Sequence, residues 1–276
     1  MSLAGIKIVF FGISDSGLVR SNNEDHFIVA DLTRKTIGVH DNTVATELLS
    51  HEVGEHGTLL AVADGLGGYE YGEIASHIAV EAIVYALFDT INTHNSTAEW
   101  LTAAVEQAHA AICQHIEQSS DKVRMGSTMT AIHIGNGVMT IAQIGDSRAY
   151  RLRNGTLMPL TEDQTLINML LDKGQITEEE AETHPGRHII LQALGQEKAV
   201  YPDLATYTFE DGDYLLLCSD GLSSYVKHET IETILTEDGD ELTHCKRLIE
   251  AAYEAGGPDN VTVLLVRLLK HSKPTP

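Results

Sequence analysis

The sequence predicts an α+β fold in which two antiparallel β-sheets pack as a sandwich flanked by α-helices. Three observations carry that prediction. Strand-like runs at Ser127–Ile134, Val138–Ile144 and Arg148–Arg153 are accompanied by Asn136-Gly137 and Asn154-Gly155. Asn-Gly is a strong hairpin signal, so sequence neighbours become antiparallel neighbours rather than parts of a doubly wound parallel sheet. Two adjacent long stretches, 73–88 and 97–117, repeat apolar residues at helical spacing and make one covering layer. Finally, no low-complexity linker and no repeat divides the 276 residues, and a hydrophobic content of 43% is enough to fill a core. The expectation is one domain over residues 1–270, an inserted segment at about 161–195, and a disordered tail at 271–276.

In chain order, Ile6-Lys7-Ile8-Val9-Phe10-Phe11-Gly12-Ile13 is β-branched and aromatic and reads as a first strand. Ser14-Asp15-Ser16-Gly17 turns the chain, and Phe27-Ile28-Val29-Ala30 reads as a second strand. Residues 31–57 read as polar and irregular. Within them His51-Glu52-Val53-Gly54-Glu55-His56 imitates a zinc-protease helix, but the histidines are five apart and a glycine intervenes, so the rings would not share a helix face. Leu59–Ala63 is a buried strand that runs into Asp64 and a turn at Gly65-Leu66-Gly67-Gly68, with a helix from near Glu70. The first helix carries Ile74, Ile78, Ala82, Tyr85 and Phe88 on its core face. The second carries Leu101, Val105, Ala108, Ile112 and Ile116, with Thr97 as its N-cap.

In the inserted segment, Thr161-Glu162-Asp163-Gln164 and Thr177-Glu178-Glu179-Glu180 both fit capping boxes, and Gly174 fits the stop between two short helices. Tyr214-Leu215-Leu216-Leu217-Cys218-Ser219-Asp220-Gly221 repeats the device of a buried strand ending in Asp-Gly. His228–Leu235 and Glu241–Ala255 read as helices, and Pro258-Asp259-Asn260 leads into a last strand, Val261–Leu268.

The 18 basic and 40 acidic residues leave a formal charge of −22. That argues against nucleic acid or an anionic membrane as partner, since both are polyanions. Cys113, Cys218 and Cys245 form no CxxC pair, so neither a disulfide framework nor a zinc site is indicated, and a reducing cytoplasm is the expected compartment. No window approaches the roughly 18 apolar residues of a membrane helix, and Ile6–Ile13 lacks the features of a signal peptide.

Acids recur at strand ends: Asp25, Asp64, Asp146, Asp220 and Asp259. A charge at the end of a buried strand is costly unless it is paired or ligates a metal. Crowded carboxylates raise one another's pKa unless a cation neutralises them. An all-oxygen set points to Mg²⁺ or Mn²⁺ rather than zinc.

The motifs Arg20-Ser21-Asn22-Asn23-Glu24-Asp25, Val62-Ala63-Asp64-Gly65-Leu66-Gly67-Gly68, Gly126-Ser127-Thr128, Ile144-Gly145-Asp146-Ser147-Arg148, Cys218-Ser219-Asp220-Gly221-Leu222 and Gly257-Pro258-Asp259-Asn260-Val261-Thr262 follow one another in an order that resembles the metal-dependent PP2C-type (PPM) protein serine/threonine phosphatases, in their compact bacterial form. The likeness covers about residues 6–268. It implies a two-metal site at one end of the sandwich and hydrolysis of phosphoserine and phosphothreonine by in-line attack of a water or hydroxide bridging two Mn²⁺ or Mg²⁺ ions, without a phosphoenzyme.

By the same resemblance Asp64 bridges both ions, the Gly65 carbonyl joins one of them, and Asp220 and Asp259 complete the other shell. Asp25 holds its metal directly or through water, Glu24 is an outer partner, and Asp146 helps bind a third, weaker ion. Asp25, Asp64 and Asp220 form the catalytic set, and Arg20 binds the phosphate with a fork suited to its oxygens. The implied partners are phosphorylated proteins, among them a serine/threonine kinase and its targets, acted on by a monomer.

One departure concerns proton donation. Many eukaryotic members carry a histidine where this chain has Leu66, which cannot donate a proton. That role would fall to a metal-bound water, or to His184 or His188 of the inserted segment, which corresponds to the family's variable flap.

Other readings fare worse. A cysteine phosphatase needs an arginine six residues after its thiol, and those positions hold Ser119, Ser224 and Ala251. The glycines after Asp64 lack the Lys-Ser/Thr of a P-loop. A catalytically inactive, regulatory PP2C-like domain would be marked by lost ligand acids, and every one of them is present.

Overall fold

Strand pairing follows the register that buries alternate side chains. The computed structural model describes residues 5–40, 49–67, 71–91, 93, 95–119, 123–196 and 198–270. The strands are β1 Ile6–Asp15, β2 Asp25–Asp31, β3 Thr36–His40, β4 Leu49–Glu52, β5 Thr58–Leu66, β6 Gly126–Ser127, β7 Met129–Gly135, β8 Val138–Ile144, β9 Arg148–Arg153, β10 Thr156–Pro159, β11 Asp203–Thr208, β12 Tyr214–Cys218 and β13 Val261–Lys270. The helices are α1 Gly72–Asp89, α2 Thr97–Gln118, α3 Leu166–Asp172, α4 Glu178–Thr183, α5 Asp220–Ser223, α6 His228–Thr236 and α7 Glu241–Glu254. One sheet runs β10-β9-β12-β13-β1-β4 and the other β11-β8-β7-β5-β2-β3, with β6 paired to the end of β5. The strand pairs are antiparallel, as the hairpin signals predict. Asn136, Gly137, Asn154 and Gly155 all have positive φ, the mirror-image turn geometry that matches strand twist.

Period-2 alternation divides the apolar residues among three layers. From β2 and β5, Phe27, Val29, Leu60 and Val62 meet Leu264, Val266 and Leu268 of β13 between the sheets. The alternate residues Ile28, Ala30, Leu59, Ala61 and Ala63 face α1 and α2. On the far side Val261, Val263 and Leu265 of β13 meet Leu248, Ile249 and Ala252 of α7. A side chain at Gly12 would run into the ring of Phe27, so the glycine is what lets that ring fill the gap. Among the described residues no helix is long and apolar enough to cross a membrane.

Several expectations change. The stretch 31–57 is not wholly irregular, because β3 and β4 form there as edge strands. Only one side of an edge strand is paired, and β4 alternates half-buried with exposed residues, which weakens the apolar signal. The same holds for β11, a mostly exposed edge strand with no clear sequence signature. The core face of α1 is partly rotated from the predicted stripe: Phe88 is buried and Ile74, Ile78 and Ala82 pack at the edge of the core, but Ala75, Ala79, Val80, Ile83, Val84 and Leu87 form its centre and Tyr85 is 52% exposed. A helix that touches both a sheet and a second helix is apolar around much of its circumference, so periodicity cannot choose the face.

Ser96, not Thr97, caps α2, accepting from the Glu99 amide. The capping box at Thr177 forms, but Thr161 caps no helix. Its hydroxyl accepts the Ala149 amide, and α3 begins at Leu166 behind Thr165. The strand leading to Asp64 continues to Leu66, so Asp64 lies inside β5 rather than past its end. Gly68, Glu70 and the tail 271–276 lie outside the described residues.

Phe27→Ala should cost about 3–5 kcal/mol in urea unfolding, the range for truncating a buried aromatic residue. Tyr85→Ala should cost less than about 1 kcal/mol. Equal losses would contradict the rotated face of α1.

Candidate active site

The site grows from one pairing. In the β2–β5 ladder Asp25 lies directly opposite Asp64, so two carboxylates share one end of the sandwich. The loops around them are fastened by Asn260. Its Oδ1 accepts the Glu24 amide at 2.8 Å, and its Nδ2 donates to the Asn22 carbonyl at 2.8 Å and the Ser16 carbonyl at 3.1 Å. The Leu18 amide donates to Gly257 O at 2.8 Å, and at Gly17, in the left-handed region at φ +73°, a side chain would collide with the Asp259 carbonyl. The loop carrying Arg20 is thereby held against the loop carrying Asp259.

The backbone of Asp64 is gripped by the strand after α2. Its amide donates to Thr128 Oγ1 at 2.9 Å, and its carbonyl accepts the Thr128 amide at 2.9 Å and the Ser127 hydroxyl at 3.1 Å. The Gly65 amide donates to Glu24 O at 3.0 Å, and a side chain there would strike the Gly72 and Glu24 carbonyls. Asp25 is fully buried. Its Oδ2 accepts the Ser219 hydroxyl at 2.6 Å, and its Oδ1 has no hydrogen-bond partner. Asp220 opens α5, where a side chain at Gly221 would meet the Asn260 carbonyl.

Electrostatics tie the five acids into one cluster. Burial pushes the Asp25 carboxyl up to about 7, with Asp220 and Asp259 adding to it against the Ser219 and Thr262 hydroxyls. Asp64 is raised well above the ordinary range, first by burial and then by Asp25, Asp220, Asp146 and Asp259. Asp146 is pushed up to about 7 by burial, Asp220 and Asp163, opposed by Arg148. Asp220 is raised by burial and Asp259, opposed by hydrogen bonding to Asp64 and by the charges of His188 and Arg20. Glu24 is raised by burial, against the pull of Arg20. Arg20 Nη2 lies 2.9 Å from Asp259 Oδ2, and its side chain is 53% exposed.

All the acids named from sequence therefore meet, with Arg20 beside them. Among the described residues no three His, Cys, Asp or Glu side chains stand at the spacing of a metal shell. The donor set nevertheless fits hard divalent cations. It is all oxygen, and Oδ1 of both Asp25 and Asp146 is buried without a partner.

Neither histidine of the inserted segment is plainly placed for proton donation. His184 Nδ1 accepts the Gly186 amide at 3.0 Å, while the exposed His188 accepts from Arg187 Nε at 2.9 Å. The motifs assign no role to Ser219, Thr128, Thr262 or Asn260. For Ser219, Asn260 and Thr262 a small hydroxyl or amide close to an acid in sequence is the available signal, whereas Thr128 has no acid near it in sequence. A separate cleft of about 350 Å³, lined by His56, Trp100 and His133, lies at the opposite end of β5.

Known proteins place this arrangement. The profile of the protein phosphatase 2C family matches residues 38–254, well over half of the chain. The chain belongs to the protein phosphatase 2C family. The matched span holds Asp64, Asp146 and Asp220, and longer alignments take in Arg20, Asp25 and Asp259.

The chain is 39% identical over 260 residues to the serine/threonine protein phosphatase PstP of Mycobacterium tuberculosis, covering 94% of this chain but 44% of PstP. It therefore spans less than half the length of that relative. It is 36% identical over 258 residues to the protein phosphatase PhpP of Streptococcus pneumoniae, covering 93% of this chain and 96% of PhpP. A crystal structure of the PstP catalytic domain in complex with two manganese ions superposes with a TM-score of 0.75 at 35% identity, over 96% of this chain and all of that one. The two-sheet architecture of this PP2C chain is thus the fold of its solved relatives.

Asp25 supplies a test of the cluster that needs no turnover. Its folded pKa of about 7 exceeds the unfolded 3.8, so its contribution to stability is full below the unfolded value and is lost as pH rises through about 7. In EDTA, Asp25→Asn should gain melting temperature over the parent protein as pH rises across that window. A constant difference would mean that burial and the neighbouring acids do not hold the Asp25 carboxyl above its ordinary range.

Proposed function

We propose that this chain is a divalent-cation-dependent protein phosphatase that hydrolyses phosphoserine and phosphothreonine by in-line attack of water, acting as one domain over residues 1–270. The observation that carries the reading is the convergence of Asp25, Asp64, Asp146, Asp220 and Asp259 with Arg20 in a PP2C fold. Asp64, Asp220, Asp259, Asp25 and the Gly65 carbonyl would hold two Mn²⁺ or Mg²⁺ ions, and Asp146 a third. Such ions supply charge neutralisation and water activation at phosphorus.

The chain's own residues define the rest. Arg20 stands half-exposed at the cluster, tied to it through one nitrogen, where its fork can take phosphate oxygens. Two thiols and a hydroxyl are poorly suited as nucleophiles: the Cys218 thiol is fully buried and pushed up to about 12, burial also raises Cys245, and Ser219 donates its hydroxyl proton to Asp25. In this reading water is the attacking group, without a phosphoenzyme. Asn260 and Thr128 keep the loops and Asp64 in register, which is the positioning that phosphoryl transfer chiefly needs. Leu66 contributes no proton, so protonation of the leaving group falls to water or to the inserted segment. The partners in this reading are phosphorylated proteins, including a serine/threonine kinase and its targets, met by a cytoplasmic monomer.

Turnover of a phosphothreonine peptide with and without Mn²⁺ tests the proposal, and EDTA should abolish it. Asp220→Asn should lower kcat/KM at least about 100-fold at saturating metal, more than about 2.7 kcal/mol of transition-state stabilisation. Full activity in that variant would remove Asp220 from the metal set. Mn²⁺ should also raise the melting temperature of the parent protein and not that of Asp64→Asn.

A further inference from the structure

The inserted segment between β10 and β11 is fastened near both of its ends. Close to its start Arg148 Nε and Nη2 donate as a fork to Oδ1 and Oδ2 of Asp163, both at 2.7 Å, and Thr165 bridges Ile190. Its last residues are held in another way. Leu194 is fully buried and forms an antiparallel bridge with Ser127 of β6. The Ser127 amide donates to Leu194 O at 3.1 Å, and the Leu194 amide donates to Ser127 O at 2.8 Å. The next amide, that of Gly195, donates to Nδ1 of His109 on α2 at 3.0 Å. Gly195 has a φ of +82°, and a side chain there would strike Ile112 of α2, so the backbone lies directly on the helix.

These contacts lead to the acid cluster. β6 pairs with the tip of β5, with Ser127 opposite Gly65 and Gly126 opposite Leu66. The Ser127 hydroxyl donates to Asp64 O at 3.1 Å. A side chain at Gly126 would meet Leu194 O, so β6 is pressed between β5 and the returning chain. Asp64 and Gly65 thus take their backbone position from a strand of two residues, shorter than the three or more of an ordinary strand. Leu194 completes the outer edge of that strand, and the amide after it belongs to His109. His109 is itself only 8% exposed. Because its Nδ1 accepts an amide, the ring proton sits on Nε2, where Cys113 Sγ lies 3.5 Å away on the next turn of α2. Without that acceptor the Gly195 amide has to turn to water, which draws the chain off α2 and loosens the Leu194 edge of β6.

We propose that His109 is a positioning residue for the divalent-cation site: through Gly195 and Leu194 it fixes β6, and β6 fixes the backbone of Asp64 and Gly65. It rests on the metal-dependent reading of the acid cluster and concerns the affinity for the cation, not the approach of a substrate. Outer partners that orient metal ligands change metal affinity by about 10–100-fold. His109 acts through two intervening residues, so the lower end of that range is the expectation. Two substitutions separate its acceptor from the rest of the ring. His109→Asn keeps an acceptor oxygen near the place of Nδ1, whereas His109→Gln sets its amide near the place of Nε2 and leaves Gly195 without one.

The experiment uses the full chain as the parent protein, His109→Asn, His109→Gln and Leu87→Ala. Leu87 is a buried residue near the C-terminal end of α1, away from the acids, and its truncation controls for a general loss of stability. The melting temperature is followed as Mn²⁺ is titrated, which gives an apparent Kd without turnover. His109→Gln should weaken Mn²⁺ binding about tenfold, and His109→Asn should stay within about threefold of the parent. Leu87→Ala should lower the melting temperature in EDTA and leave the Kd within about twofold. In metal-free hydrogen exchange, the amides of Ser127, Thr128, Leu194 and Gly195 should exchange at least about tenfold faster in His109→Gln, while those of β13 stay unchanged. A parent-like Kd or parent-like exchange in His109→Gln would overturn the proposal, and so would an equal loss of affinity in His109→Asn or Leu87→Ala. Should His109→Gln fail to fold, His109→Ala takes its place in the same comparison. If Mn²⁺ does not raise the melting temperature of the parent protein, the metal reading falls and this proposal with it. An equal rise in parent and His109→Gln removes the proposal alone.

Discussion

The repulsion among carboxylates at one end of the sandwich is the constraint that organises the molecule. Asp25 and Asp64 face each other across a strand pair, Asp146 and Asp259 arrive on two separate loops, and Asp220 opens α5. Burial and like charge raise the carboxyls of Asp25, Asp64, Asp146 and Asp220 together. The surrounding hydroxyls and amides serve that arrangement: Ser219 on Asp25, Thr128 on the Asp64 backbone, Asn260 across two loops. They hold positions fixed without neutralising charge.

The tight backbone approaches around the cluster have the same origin. Gly17, Gly65 and Gly221 each sit where a side chain would collide with a carbonyl of a neighbouring loop. Loops that close bring the acids within electrostatic reach of one another, and the absence of Cβ atoms is what permits the closeness. The inserted segment is held by a different logic, through a charged fork and a short pairing of its own ends. The acid cluster and the inserted segment are thus held by separate sets of contacts.

Much of this was legible before any coordinates. Asn136-Gly137 and Asn154-Gly155 turn as mirror-image hairpins, and alternate burial in β2, β5 and β13 follows the pleat. The acids sit in short motifs whose order alone points to the family. Thr161 was misread because a capping-box pattern is a local signal, and at this position the Ala149 amide and the Arg148 fork claim Thr161 and Asp163 for tertiary partners. The edge strands β3, β4 and β11 were illegible because half of their surface faces water, and the face of α1 because two neighbours bury it.

The sequence by itself determined which chemistry the chain can do. Side-chain type decides that oxygen ligands attract hard cations, that no thiol is followed by the arginine of a cysteine phosphatase, and that Leu66 donates no proton. Tertiary structure alone decided what those groups do to one another: that Asp25 lies opposite Asp64, that Ser219 holds one oxygen of Asp25 and leaves the other without a partner, and that Arg148 reaches across to Asp163. The physical reason is range. Composition and local pattern act within a few residues, whereas repulsion, desolvation and hydrogen bonding depend on separations of a few ångströms between groups as many as 248 positions apart.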